Sequence, residues 1–125
     1  MERFRSNLIR VDSERGISYR AMPVSGAKQR IHAALQDWAG VETRPHRFGG
    51  TEYHVGRREI GHVHGDRLVD IPFPKKIRDE LVAAGRAEPH HVLPKSGWVS
   101  IHLEQAPDVE RAIELLHLSF EIATQ

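Results

Sequence analysis

The sequence predicts an α+β domain, with an antiparallel sheet of about five strands and helices packed on one face of it. Three observations predict this class. Apolar residues recur at helical spacing near both ends of the chain, short runs separated by glycine turns fill its centre, and 125 residues suffice for one hydrophobic core. We therefore expect an N-terminal arm over residues 1–24 and a single α+β domain over residues 25–125.

The first helix is predicted over residues 26–38, because its apolar side chains recur on one helical face before a glycine interrupts the pattern. A meander of four antiparallel strands is predicted between Arg44 and Asp70. Three turn dipeptides separate its short apolar runs, namely Gly49-Gly50, Gly56-Arg57 and Gly65-Asp66.

The second half of the domain alternates helices with one further strand. Pro74 suits the first turn of a second helix, and Gly85 suits its C-terminal cap. An ordered loop is predicted over Pro89–Gly97, and the alternation in Trp98–Leu103 predicts the fifth strand. Pro107 then opens a long helix whose apolar stripe should pack on the sheet.

The composition excludes several kinds of site. Because the chain has no cysteine, disulfides, thiolate zinc sites, iron–sulfur clusters and cysteine nucleophiles are excluded. No apolar run approaches the ~20 residues that span a membrane, so we expect a cytoplasmic protein without a membrane partner. Lys plus Arg number 18 and Asp plus Glu number 17, so net charge supplies no drive toward nucleic acid.

The N-terminal arm carries the clearest basic patch, formed by Arg3, Arg5, Arg10, Arg15 and Arg20. A DNA-binding function would depend mainly on these arginines. A solvated arm without a specific partner is the alternative, because chain termini are commonly poorly ordered.

The predicted turns also assign the central residues to the two faces of the sheet, because directly paired residues share a face. The helix-facing side is predicted to hold His46, Phe48, Tyr53, Val55, Ile60, His62, His64, Val69 and Ile71. The opposite side is predicted to hold Arg47, Glu52, His54, Glu59, Val63, Leu68 and Asp70. A slip of one residue would exchange these faces.

The pair His62 and His64 is the candidate metal site, because two imidazoles on one strand face are a recurring arrangement for divalent ions. Completing three ligands requires His46, or His90 and His91 from the loop, since Asp70 is assigned to the other face. Two alternatives stay open. The histidines could be neutral, hydrogen-bonded residues at the rim of the core, or they could contact a ligand and carry protons without a metal.

Weaker candidates lie around the predicted loop. Lys75 and Lys76 begin a helix, where an anion would relieve the unfavourable charge placement and bind backbone N–H groups. Ser96 precedes a strand and so does not form the Gly-x-Ser-x-Gly turn of a serine hydrolase. Trp98 could line a cleft or cover an adjoining helix.

Four segments resemble the small "luciferase domain" family of bacterial and fungal proteins: Trp38-Ala39-Gly40-Val41, Gly61–Asp66, Val69–Pro74 and Pro89–Trp98. The resemblance covers about 38–120, and we transfer no light-producing reaction from the family's label. The order of the elements is more distantly similar to the YjbR/CyaY-like domains. That similarity implies the fold, and DNA-binding and iron-binding roles are attached to different members of that group.

Three functions therefore stand as expectations. The first is a non-enzymatic domain that binds a small ligand or a partner protein in a histidine-lined pocket. The alternative is a metal-dependent or histidine-based enzyme, and the second alternative is a DNA-binding domain. The cofactor and the oligomeric state are left open.

Overall fold

A computed structural model describes the backbone of residues 8–13 and 16–21 and every residue from 23 to 125. Strand β1 (Leu8–Ser13) pairs antiparallel with β2 (Gly16–Ala21) in a two-stranded sheet that the sequence analysis does not predict. The arginine side chains of the N-terminal arm lie outside the described residues. The DNA-binding alternative and the division at residue 24 therefore stay predictions.

Residues 23–125 form one antiparallel sheet of six strands and three α-helices, which confirms the α+β class. In chain order the elements are α1 (Ala27–Gln36), β3 (Val41–Pro45), β4 (Thr51–Val55), β5 (Arg58–His64), β6 (Leu68–Pro72), α2 (Lys75–Ala83), β7 (Glu88–Pro89), β8 (Trp98–His102) and α3 (Ala106–Ala123). The strand order is β3-β4-β5-β6-β8-β7. The sixth strand is β7, a short strand at the start of the predicted loop.

The helices cover one face of this sheet and form the core with it. Ile31 and Leu35 of α1 and Leu116 of α3 are fully buried. Helix α3 lies close to β5 at Gly61, where φ is +155° and a side-chain carbon would overlap Leu116. The opposite face is thus left for polar groups. No helix among the described residues is long and apolar enough to cross a membrane.

The strand register departs from the predicted turns at three places. Pro45 pairs with Thr51, so the first connection has five residues instead of two. His64 pairs with Leu68, so the third has three residues. A bulge shifts the pairing of β4 with β5 after Tyr53, and Ile60 is the residue left without a partner. Each departure adds an odd number of residues and so exchanges faces.

The predicted face assignments are therefore partly wrong. His46, His62 and His64 lie opposite the helices, whereas Val63 is fully buried on the helix side. Phe48 is 99% exposed rather than part of the core. The assignments of Tyr53, Ile60, Val69 and Ile71 to the core are confirmed. The decisive consequence is that His62, His64 and Asp70 share one face, although the predicted register separates them.

Gly97 holds the Pro89–Gly97 loop against the start of α2. Its carbonyl accepts a hydrogen bond from the Phe73 N–H at 3.1 Å, and a side-chain carbon at Gly97 would overlap the Phe73 carbonyl oxygen. We expect Gly97→Ala to lower the free energy of unfolding by about 1–3 kcal/mol, because backbone must move to relieve the overlap. Urea denaturation measures this loss. A loss as small as that of the exposed control Lys76→Ala would contradict the contact.

Candidate metal centre

Strands β5 and β6 place two histidines beside a buried carboxylate. His62 pairs directly with Asp70 across the two strands, and His64 lies two residues further along the same face. The distances to Asp70 Oδ2 are 3.1 Å from His62 Nε2 and 3.3 Å from His64 Nε2. The Asp70 side chain is only 1% exposed, so these imidazoles meet a carboxylate withdrawn from water.

The loop after β7 brings two more imidazoles to the same oxygen from the other side of β6. His90 Nε2 lies 3.5 Å and His91 Nε2 lies 3.4 Å from Asp70 Oδ2. His90 and His91 of this loop are one of the two predicted ways to complete a site with His62 and His64, and the structure brings both beside Asp70. We call His62, His64, Asp70, His90 and His91 the histidine–aspartate cluster.

The second oxygen of Asp70 is already engaged. Ser100, which pairs with Asp70 from β8, donates its hydroxyl to Asp70 Oδ1 at 2.6 Å. The four imidazoles therefore converge on Oδ2 alone. A carboxylate oxygen has two lone-pair sites, so hydrogen bonds to Oδ2 cannot satisfy four ring nitrogens at once.

Two glutamates, Glu59 and Glu52, form hydrogen bonds with the Nδ1 atoms of His62 and His46. Glu59 Oε2 lies 2.6 Å from Nδ1 of His62, so that His62 bonds carboxylates through both ring nitrogens. Glu52 Oε2 lies 2.6 Å from Nδ1 of His46, whose ring stacks on His62 with centroids 3.9 Å apart. The ligand atoms of His46, His62 and His64 lie within 4.8 Å of one another, which makes His46 an adjacent candidate ligand.

The histidines of the cluster have pKa values shifted in different directions. Burial lowers the pKa of His62, but hydrogen bonds with Asp70 and Glu59 outweigh it and raise the pKa to about 9. Burial lowers the pKa of His64, assisted by repulsion from His62, and burial lowers the pKa of His90, assisted by repulsion from His91 and His62. Burial raises the pKa of Asp70, yet hydrogen bonds from His62 and Ser100 bring it below its usual value. Asp70 is thus ionised, and His64 and His90 are neutral at pH 7.

The remaining predicted site residues lie at the margin of this centre or outside it. The Trp98 ring is 5.1 Å from that of His62 and 6.1 Å from that of His90, so it packs against the cluster. Ser96 donates its hydroxyl to the Leu93 carbonyl and accepts the Trp98 N–H, which orders the loop. Lys75 and Lys76 are exposed at the start of α2 and make no polar contact with the cluster.

Sequence reasoning missed Asp70, Glu52 and Glu59 as members of this centre, because the predicted register placed them opposite His62. Gly61 is the signal that could have found Glu59, because a glycine inside a strand often marks a bulge. A bulge there brings Glu59, which precedes His62 by three residues, to the same face of the strand.

The sequence profile of the luciferase domain family matches residues 57–119, half of the 125-residue chain. This range contains the whole histidine–aspartate cluster and Glu59, whereas His46 and Glu52 precede it. No curated protein and no solved structure matches the chain. The more distant similarity to YjbR/CyaY-like domains stays a prediction. The chain belongs to the luciferase domain family.

Proposed function

We propose that this protein is a metal-dependent enzyme whose histidine–aspartate cluster binds a divalent transition-metal ion. The observation that carries the proposal is the convergence of four imidazole Nε2 atoms within 3.1–3.5 Å of Asp70 Oδ2. This favours the metal-dependent alternative over a pocket in which histidines only contact a ligand.

The distances support an ion rather than hydrogen bonds alone. Bonds of about 2.0–2.2 Å from a metal to nitrogen or oxygen place neighbouring ligand atoms roughly 2.8–3.1 Å apart in an octahedral arrangement and roughly 3.3–3.6 Å apart in a tetrahedral one. The separation of His62 Nε2 from Asp70 Oδ2 is at the octahedral limit, and the other three separations fall in the tetrahedral range. An ion beside Oδ2 would also use ring nitrogens that this oxygen cannot satisfy by accepting hydrogen bonds.

The donor set indicates the class of metal. Imidazole nitrogens with one carboxylate suit zinc, copper, iron and nickel, whereas magnesium and calcium prefer oxygen ligands. Glu59 on His62 and Glu52 on His46 are the outer carboxylates that orient ligating histidines and raise their basicity. The two glutamates therefore act as positioning residues.

The centre is open enough for catalysis. The side chains of His91 and His64 are 45% and 28% exposed, so these two ligands are accessible from solvent. A transition metal held here would polarise a substrate oxygen or generate hydroxide from bound water near neutral pH. The protein's own part is to hold the ligands, orient them through Glu59, and bury Asp70 where its charge is poorly screened.

Metal titration of protein purified without a histidine tag tests the proposal. We expect a stoichiometric Zn²⁺ or Co²⁺ isotherm by calorimetry, and d–d bands of coordinated Co²⁺ in the visible spectrum. Binding that is absent, or that matches an unfolded control, would contradict the metal centre and return the non-enzymatic ligand-binding hypothesis to first place. Hydrolase and oxygenase assays on the loaded protein then test whether the centre is catalytic.

Metal binding is expected to release a proton from His62. With a pKa of about 9, this imidazole is protonated at pH 7, and the ion must displace its Nε2 proton. The affinity should therefore rise about tenfold per pH unit from about pH 7 to pH 8.5 and level off near pH 9. Calorimetry in buffers of different ionisation enthalpy counts the protons. Release of none at pH 7 would show that His62 is not a ligand.

A further inference from the structure

Two imidazoles of the centre lie face to face instead of converging on one point. The ring centroids of His46 and His62 are 3.9 Å apart, and the ring planes differ by only 15°. A ring nitrogen binds a metal ion in the plane of its own ring, about 2.0–2.1 Å away. Two nearly parallel planes at this spacing do not meet so close to the rings. A single ion therefore cannot bind both histidines in their observed orientations.

Each ring of this stacked pair has its own glutamate. Glu52 Oε2 lies 2.6 Å from His46 Nδ1, and Glu59 Oε2 lies 2.6 Å from His62 Nδ1. A carboxylate on one ring nitrogen is the usual outer partner of a histidine that binds metal through the other nitrogen. His54 Nε2 lies 2.8 Å from the second oxygen of Glu52 and fixes this carboxylate in turn. The outer arrangement of a metal-binding histidine is thus present twice.

The loop after β7 supplies a second stacked pair. The ring centroids of His90 and His91 are 4.4 Å apart, and the ring planes differ by 27°. The same geometric limit applies, so these two rings also point to different positions. The Nε2 atoms of both lie within 3.5 Å of Asp70 Oδ2. This oxygen is therefore placed to contact an ion at either position.

His64 and His46 can share an ion, because their rings are steeply inclined. The ring plane of His64 makes an angle of 71° with that of His46. The ligand atoms of both, together with that of His62, lie within 4.8 Å of one another. His46 forms its ion pair with Glu52 rather than with Asp70, so its ligand atom lies to the side of the Asp70 oxygen. An ion bound by His46 and His64 would thus lie beside the ion at His62.

The centre also has more donors and more negative charge than one ion requires. Zinc takes about four ligands and keeps one position open in catalytic sites. The donors here are His46, His62, His64, Asp70, His90 and His91. Buried carboxylates are stable when they are paired or bind metal ions. The three carboxylates of Glu52, Glu59 and Asp70 would offset most of the charge of two divalent ions.

We propose that the centre binds two divalent transition-metal ions, one at His62 and one at His46, with Asp70 Oδ2 bridging them. His64 completes the ion at His46, and the loop pair gives one imidazole to each ion. The 3.9 Å between the stacked rings lies in the range of roughly 3.5–4 Å that separates the ions of two-metal sites. The inference rests on the proposed function, because the ion of that proposal is the one at His62.

Titration of the full chain with Cu²⁺ tests the proposal, because electron paramagnetic resonance reports both the number and the proximity of Cu²⁺ ions. We use protein purified without a histidine tag and count bound copper by elemental analysis after dialysis. We expect two equivalents, with the second broadening the signal of the first by dipolar coupling. His46→Ala should retain one equivalent with an unbroadened signal. The matched control is His102→Ala, an exposed histidine paired with Glu88, which should retain both equivalents.

Glu52→Gln and Glu59→Gln test the division while keeping every ligand. Each should weaken only the ion on its own histidine, by about 10–100-fold, because each removes one outer carboxylate. Two-step calorimetric titrations separate the two affinities, and circular dichroism establishes that each variant is folded. Weakening of the same single step by both substitutions would overturn the proposal.

The outcomes distinguish this inference from the proposed function. One equivalent of Cu²⁺ in the parent protein would overturn the second ion and leave the proposed metal centre standing. No stoichiometric binding would overturn both. Two equivalents whose signals simply add would also overturn the inference, because the second ion would then lie away from the first.

Discussion

Replacing His62 and His64 together by alanine is expected to abolish stoichiometric metal binding. Both Nε2 atoms lie within 3.3 Å of Asp70 Oδ2, so the double variant removes two of the five cluster ligands. The loss in affinity should exceed the roughly 10–100-fold that follows from removing an outer partner of a ligating histidine. Calorimetry and elemental analysis of the dialysed protein measure it.

His102→Ala/His117→Ala is the matched control for this variant. Both histidines are exposed and contact glutamates outside the cluster, His102 at Glu88 and His117 at Glu121. The control should bind metal as the parent does. If it lost as much metal as the His62 and His64 variant, the binding would be unspecific capture by surface histidines.

Asp70→Ala is expected to lower the free energy of unfolding of the metal-free protein by about 3–5 kcal/mol, because it leaves the buried His62 imidazolium without its main partner. The pKa of His62 should fall, since Asp70 is one of the two groups that raise it. Metal binding should be lost as well. Urea denaturation at pH 7 and titration of the His62 ring by NMR measure the first two effects.

Ser100→Ala distinguishes the contribution of the Asp70 charge from that of the hydrogen bond which Ser100 donates to it. It removes the donor to Asp70 Oδ1 but keeps the charge, so a loss of about 1 kcal/mol is expected. An Asp70→Ala variant no less stable than Ser100→Ala would show that Asp70 is not the partner of a buried cation.

The stabilisation by His62 is fully present below its unfolded pKa near 6.5 and is lost as the pH rises through about 9. The cost of Asp70→Ala should therefore shrink at high pH.

Local patterns in the sequence were sufficient to predict the helices of residues 25–125 and all strands of the six-stranded sheet except the short β7. Helical spacing located α1 and α3, and the glycine dipeptides located the three turns of the meander. These predictions succeed because apolar residues recur at a short, fixed period in a helix or strand that buries one face. Several apolar residues of the core, such as Tyr53 and Val69, were assigned to the correct face, whereas Val63 was not.

The histidine-rich centre shows the limit of that reasoning. The sequence by itself determined which residue types were available, namely imidazoles and carboxylates without cysteine. It also indicated that His46, or His90 and His91 of the loop, would complete a site with His62 and His64. Only the tertiary structure decided that Asp70 joins them. The five-residue and three-residue connections and the bulge at Ile60 each move the side chains that follow to the other face of the sheet. Successive side chains of a strand point to opposite faces, so a shift of one residue has this effect in full. Turn length depends on how the whole sheet packs, so no local pattern contained it.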